Sequence, residues 1–262
     1  FNGNELLAEI SQSRFQKTVQ AIDLAARFLA NNSPTNIDKI TVINIDEGIE
    51  TLRATVSREA LVNSVANGAL DETLLEFNII NPLDPKAIVK DNDYLYPHLW
   101  TAIRPNMRGT LQHQERFYFW QLEVLASAVV SFTKGLYMTA EYGIDIANNF
   151  EDYYYHIPDG QLYHVRQNRR LYLTQGESGL RSLALDYFID LHPNVKATLS
   201  VGYLEWMYGG YGGEILYMPD HKQWALGLDA YWVKQREYDG GLDFLDYETV
   251  TGFLSFYYDL PF

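Results

Sequence analysis

The feature that most constrains this chain is a series of long segments after residue 68 in which apolar and polar residues alternate. Alternation with period two places successive side chains on opposite faces of a strand. Tyr118, Trp120, Leu122, Val124 and Ala126 fall on one face, with Gln121 and Glu123 on the other. Leu136, Met138, Ala140, Tyr142, Ile144 and Ile146 alternate with Thr139, Glu141, Gly143 and Asp145. Leu183, Leu185, Tyr187, Ile189 and Leu191 alternate with Ser182, Ala184, Asp186 and Asp190, and Val195 to Tyr203 alternates in the same way around Lys196, Thr198 and Ser200. Trp224, Leu226, Leu228, Ala230 and Trp232 flank Gly227, Asp229 and Tyr231, and Val250, Leu254, Phe256 and Tyr258 flank Thr251 and Ser255. Strands of ordinary sheets average about 5–6 residues, whereas strands that cross an outer membrane run about 9–11. Segment length therefore favours a membrane barrel over a sandwich. The spacing predicts a mainly β chain: an antiparallel transmembrane β-barrel over residues 69–262, of roughly ten strands and incomplete within this chain, with the apolar face outward.

Other features agree. Aromatic residues make up 15% of the 262 residues, and pairs such as Tyr118 and Trp120, Tyr203 and Trp206, and Trp224 and Trp232 sit near segment ends, where an interfacial girdle belongs. His192-Pro193-Asn194 and Pro219-Asp220-His221 read as short turns, and Asn148 to Gln161 and Tyr238 to Asp246 as longer acidic loops. Short turns at one rim and long loops at the other characterise outer-membrane barrels. The longest apolar stretch, Leu122 to Phe132, is interrupted by Glu123, Ser127 and Ser131 and is too short for a membrane-spanning helix. A net charge of -14 argues against nucleic acid as a partner and against docking on anionic lipid. The absence of cysteine excludes disulfides and thiolate metal sites. The first residue is Phe1, with no signal peptide after it, which reads as a chain processed or cut from something longer.

Residues 1–68 have a different character and are expected to form a small α/β periplasmic domain. Glu5 to Leu29 reads as helix, with Val19, Ile22, Ala25, Ala26 and Leu29 on one face and Asn31 to Pro34 as its stop. Ile40 to Ile45 and Ile49 to Val56 read as strands joined by the turn Asp46-Glu47-Gly48. Ser57 is placed to cap a second helix containing Ala60, Leu61 and Val65. Such a unit reads as a spacer or docking module without chemistry of its own.

Few local motifs carry chemistry. Gly209-Gly210-Tyr211-Gly212-Gly213-Glu214 lacks the Gly-Lys-Ser/Thr of a phosphate loop and reads as a strand bend or bulge, where glycine permits curvature or close backbone approach. Glu205 and Glu214 flank it, and two carboxylates near each other could hydrolyse a glycosidic bond. The plainer reading makes them luminal charges. His164-Val165-Arg166 reads as the start of a strand carrying Asn168 and Arg170 on its polar side, so that Arg166 and Arg170 would face Asp186 or Glu141 across the lumen or touch an anionic sugar polymer. No histidine cluster, calcium loop (Asp145, Asp152 and Asp159 lack its spacing) or nucleophile elbow is present. No metal or other cofactor is expected.

The run Val201 to Pro219, with Gly202-Tyr203-Leu204-Glu205, Met207, and Gly212-Gly213-Glu214-Ile215-Leu216-Tyr217, strongly resembles the YjbH-like exopolysaccharide and group 4 capsule proteins of Gram-negative bacteria. His164-Val165-Arg166, Val233 to Asp239, Asp246-Tyr247 and Thr251-Gly252 are similar to the same family and occur in the same order. Ala25-Ala26-Arg27 leading to Ser33-Pro34 is similar to its periplasmic segment. The resemblance implies an outer-membrane, often lipid-anchored barrel encoded with polysaccharide synthesis genes, and the chain itself is expected not to be an enzyme. Family members are longer at both ends. No lipobox cysteine stands here, so lipid anchoring does not carry over, and no catalytic residues are transferred.

The function expected from residues and resemblance together is passage of a secreted polysaccharide through or beside the outer membrane, the front domain facing the periplasm and other export components. Glu123, Glu141, Arg166, Arg170, Asp186, Lys196 and Asp229 are the expected luminal contacts to the polymer, with Glu205 and Glu214 shaping the wall or a constriction. The rivals are a general porin, a glycan-modifying barrel and a soluble all-β sugar-binding module.

Overall fold

A computed structural model describes residues 2–12, 14–65, 75–77, 90, 92, 95–111, 117–152, 166, 168–219 and 222–259. The chain is mainly β, with two sheets and three α-helices among the described residues, and it divides into two compact units, Phe1–Asp93 and Tyr94–Phe262.

The first unit runs β1 (Glu5–Ile10), α1 (Thr18–Asn32), β2 (Lys39–Asp46), β3 (Ile49–Ser57), α2 (Arg58–Val65) and β4 (Glu76–Phe77). Its sheet has the order β1-β2-β3-β4, with β1 parallel to β2 and the rest antiparallel. The expected helix from Glu5 is corrected here. Glu5 to Ile10 is a strand, because pairing of all six residues with Lys39–Asn44 of β2 outweighs the helix propensity of Glu-Leu-Leu-Ala-Glu. From Thr18 onward the helix face is as expected. Ile22 and Ala26 are fully buried, and Val19, Ala25 and Leu29 pack against them. The β2–β3 turn places both Glu47 (φ 49°) and Gly48 (φ 84°) in the left-handed region, the conformation that matches strand twist in a tight hairpin. Ser57 Oγ accepts the Ala60 amide at 3.1 Å and caps α2, whose Leu61 enters the core with Ile40, Val42, Ala54 and Val56.

The second unit is one antiparallel sheet of eight strands in sequence order: β5 (His98–Leu111), β6 (Tyr118–Thr133), β7 (Leu136–Asn148), β8 (Gly179–His192), β9 (Val195–Tyr203), β10 (Tyr208–Tyr217), β11 (Trp224–Arg236) and β12 (Phe244–Tyr258). Beyond residue 69 the described residues therefore hold nine strands, one of them the two-residue β4 of the other sheet, against roughly ten expected. Among the described residues β5 and β12 are the sheet's edges. Lys134-Gly135 and Pro193-Asn194 make tight turns at one rim, and residues 149–178 and 237–243 make the longer connections at the other. The segment 149–178 holds a 3-10 turn, Phe150–Asp152, and α3, Arg169–Gln175. The strand expected from His164 is corrected accordingly: Arg170 lies on α3 and Arg166 in the turn before it, while His164 and Val165 lie outside the described residues. So do Gly68, Asp159, most of Asn148 to Gln161 after Asp152, and Asp220-His221.

The glycine run is also not a bulge. β10 pairs without a register shift from Tyr208 to Tyr217 with β11 and from Gly210 to Tyr217 with β9. Its glycines serve close approach instead. A Cβ on Gly210 would lie 2.1 Å from the Trp232 carbonyl, and one on Gly212 would strike the Tyr231 ring at 2.4 Å.

Replacing Leu61 by Ala is expected to destabilise the first unit by about 2–5 kcal/mol, and Ser57→Ala by about 1 kcal/mol. Urea unfolding of the full chain measures both; a Leu61→Ala loss no larger than that of Ser57→Ala would contradict the core assignment.

Candidate functional site

Cross-strand register, shifted at five places, still sorts the side chains of the eight strands onto two chemically opposite faces. One row of directly paired residues runs Leu99, Val130, Met138, Leu185, Val201, Tyr211, Trp232, Val250 across all eight strands, every member apolar. Rows further along the same face pair Ile189, Ala197, Ile215, Leu228 and Leu254, and Val195, Tyr217, Leu226 and Phe256. Much of this surface is bare: Ile103 is 79% exposed, Leu254 72%, Val250 71% and Leu228 57%.

The opposite face is polar. One row pairs Ser131, Tyr137, Asp186, Ser200, Gly212, Tyr231 and Thr251. A cavity of about 720 Å³ lies on it, lined by Thr139, Ser182, Ala184, Asp186, Ser200, Tyr231, Val233, Thr251 and Phe253 together with Leu204, Glu205, Tyr208 and Arg166. Residues from β7 through to β12 line this one hollow, so the sheet curls with its polar face inside.

At the long-loop rim the polar face is bridged by a charged network. Glu123, 2% exposed, accepts from Arg181 Nη2 at 2.6 Å and Asn106 Nδ2 at 2.9 Å, with Arg108 Nε at 3.9 Å. Arg108 Nε donates to Gln121 Oε1 at 2.6 Å, and Gln121 Nε2 donates to Asp145 at 2.6 Å and to the Glu177 carbonyl at 2.9 Å. Arg181 also donates to the carbonyls of Gly176 and Glu177. A Cβ on Gly143 would lie 2.5 Å from both Arg181 Nε and Glu123 Oε2, so only glycine leaves room for the pair.

These bonds tie the end of the 149–178 segment to the strands, and α3 is held by packing. Phe150 and Leu173 cluster with Phe119 and Trp206. Tyr172 meets Trp206 and Tyr238 edge-on at 5.8 and 4.9 Å, and its hydroxyl donates to the Arg236 carbonyl at 2.5 Å. Burial pushes the Tyr172 phenol well above its ordinary range, so it stays a donor. Arg236 is fully buried, donates to the Glu205 and Gly241 carbonyls, and lies 4.9 Å over the Tyr203 ring.

The nine residues expected to line the lumen are distributed unevenly. Asp186, Glu205 and Arg166 line the cavity, Arg166 bonding Glu205 at 2.7 Å rather than facing Asp186 or Glu141. Asp186 accepts from Ser200 Oγ at 2.6 Å. Glu141 shares the polar face, 3.9 Å from Arg104. Lys196 bonds Asp190 at 2.5 Å. Glu214 and Asp229 are direct cross-strand partners on the polar face. Glu123 belongs to the rim network, and Arg170 lies on α3 outside the strands. Glu205 and Glu214 do not come together: Glu205 bonds the Tyr208 carbonyl, and Glu214 lies six residues further along β10, roughly 20 Å of strand.

Sequence parity missed Arg181. It shares parity with Leu183 and so reads as part of the apolar face, but a register shift between Glu141 and Tyr142 opposite it turns it to the polar side.

A mainly antiparallel β protein, with one apolar exposed face and one charged, cavity-bearing face bridged by a loop, is the class these features define. The chain belongs to the YjbH family: the family model described as exopolysaccharide biosynthesis protein YbjH matches residues 1–262. It is similar to the Escherichia coli (strain K12) protein named uncharacterized lipoprotein YjbH, at 29% identity over 266 residues, covering 99% of this chain and 38% of that protein. The chain thus spans under half the length of that relative. No solved structure matches it.

Removing one partner of the rim pair leaves the other charge buried and unpaired, so Arg181→Met is expected to cost about 3–5 kcal/mol. Adding Glu123→Gln should return much of that loss. Unfolding midpoints of the two single variants and the double variant check this; a double variant as unstable as the sum of the singles would refute the coupling.

Proposed function

We propose that Tyr94–Phe262 is the wall of an outer-membrane β-barrel that guides a secreted exopolysaccharide along its polar interior, and that it does so without catalysis. The observation that carries this reading is the exposed apolar face continuous over eight strands in register. A sheet face of that extent in water would be an aggregation surface, whereas lipid tails solvate it. Aromatic residues support the same placement. Trp224 and Phe256 stack near one rim and Tyr211 and Trp232 nearer the other, and Trp224 and Trp232 are about 26 Å apart along β11. With the usual strand tilt that is about 20 Å of height, close to the apolar band of such barrels.

Bilayers do not tolerate open sheet edges, so closure between β5 and β12, directly or through further strands, is part of the proposal. Eight strands already meet the minimum for a bacterial barrel. The family's link to exopolysaccharide biosynthesis supplies the cargo, and the lipoprotein name of the Escherichia coli relative supports a place in the cell envelope. On this reading Phe1–Asp93 is the periplasmic domain, available to other export components. The wide separation of Glu205 and Glu214 removes the carboxylate pair that the sequence suggested for hydrolysis.

Arginine at the middle of the apolar face distinguishes lipid from water. Leu228→Arg is expected to lower folding stability in phospholipid vesicles by about 2–4 kcal/mol, read from denaturant titration of the vesicle-embedded chain. A cost under about 0.5 kcal/mol, the usual effect at a water-facing site, would overturn the membrane placement. Deleting the gene should abolish surface exopolysaccharide while leaving cytoplasmic sugar precursors in place; unchanged surface polymer would overturn the export role.

A further inference from the structure

We infer that the polar-face cavity is a sugar subsite selecting neutral or amine-bearing units over acidic ones. The inference rests on the export reading above and names the chemistry of the polymer that fits this interior.

A pyranose presents hydroxyls around its edge and C–H groups on its faces, and the cavity offers a match for both. Hydroxyl groups of Ser182 and Ser200 and the carboxylate of Asp186 supply acceptors and donors, and the rings of Tyr231 and Phe253 supply flat apolar surface. A volume of about 720 Å³ is in the range of pockets that enclose small organic ligands, about 300–1,000 Å³.

Charge then sets the class of sugar. Among the described residues lining the cavity the one guanidinium, Arg166, is paired with Glu205 at 2.7 Å. Asp186 accepts from the Ser200 hydroxyl at 2.6 Å, and its carboxylate has further lone pairs to offer a ligand. No cation faces Asp186 among the described residues. The acidic character continues along the same face, where Glu214 and Asp229 stand opposite each other across β10 and β11, again with no cation against either among the described residues. A uronate or pyruvylated unit would meet like charge on this path. An ammonium would meet an acceptor, and a neutral sugar would lose nothing.

The test uses the full chain folded in detergent micelles at low salt and three tetrasaccharide probes: glucosamine, N-acetylglucosamine and galacturonate. Calorimetric titration should rank them in that order, with galacturonate at least tenfold weaker than the neutral probe. Asp186→Asn keeps the side chain's shape and should bring glucosamine to within about twofold of N-acetylglucosamine. Phe253→Ala, at a position 65% exposed and so of little consequence for folding, should weaken both by several-fold. Galacturonate binding as tightly as the other two, no binding of any probe, or an unchanged order in Asp186→Asn would each overturn the inference. The export reading fails separately, through loss of vesicle insertion or unchanged surface polymer in the deletion strain. A chain that inserts and exports yet binds none of the probes refutes the sugar subsite alone.

Discussion

Conservation of strand parity across seven successive pairings is the constraint on which the second unit depends. A slip of one residue in any pair would carry every apolar side chain beyond it to the polar face. The register avoids this even where it is irregular. The shifts lie toward the rims, at Leu122/Glu123, Glu141/Tyr142 and Lys234/Arg236 on the long-loop side and at Ser131/Thr133 and Asp190/His192 on the short-turn side, while the central rows pair Ala128 with Ala140 and Leu185 with Val201. Because parity holds, one face is apolar from Leu99 to Val250 and the other gathers Asp186, Ser200 and Tyr231 into a hollow.

At the long-loop rim a buried charged network links three strands of the polar face to the segment that follows β7. Glu123 and Arg181 are a buried ion pair whose desolvation is offset by Asn106 and by the backbone carbonyls of Gly176 and Glu177. Their geometry requires Gly143 beneath them. The same bonds fix the end of a segment that also docks through Phe150, Tyr172 and Leu173. The described part of this segment is therefore bound to the strands by both polar and apolar contacts. In the first unit the logic is that of an ordinary α/β layer, with Ile22, Ala26 and Leu61 covering one side of the sheet.

What could be read from the sequence was what depends on local periodicity. Alternation identified β6 to β9, β11 and β12 and their two faces, and the turn at Glu47-Gly48 and the cap at Ser57 followed from residue chemistry. Errors arose where partners distant in the chain decide the outcome. Glu5 to Ile10 has helical composition but is held as a strand by β2. Arg170 was assigned to a strand, yet the aromatic pocket around Tyr172 holds a helix there. The glycines of β10 signalled close approach correctly, but whether they also broke the ladder depended on Tyr231 and Trp232 in the neighbouring strand. Of the expected luminal charges, Asp186, Glu205 and Arg166 meet at one cavity, and only the fold reveals that Arg166 and Glu205 cancel.

The account turns on what solvates the apolar face. The chain has no cysteine, so single cysteines introduced at successive positions from 250 to 258 can each carry a nitroxide label without background. In phospholipid vesicles, collision with oxygen should peak at the even positions, 250, 254 and 256 among them, and collision with a water-soluble nickel chelate at the odd ones. Alternation in that phase would place the even side chains in hydrocarbon. Equal access of the nickel chelate to both sets, or protection of the even set from both reagents, would mean that water or another protein surface covers this face, and the barrel assignment would fall.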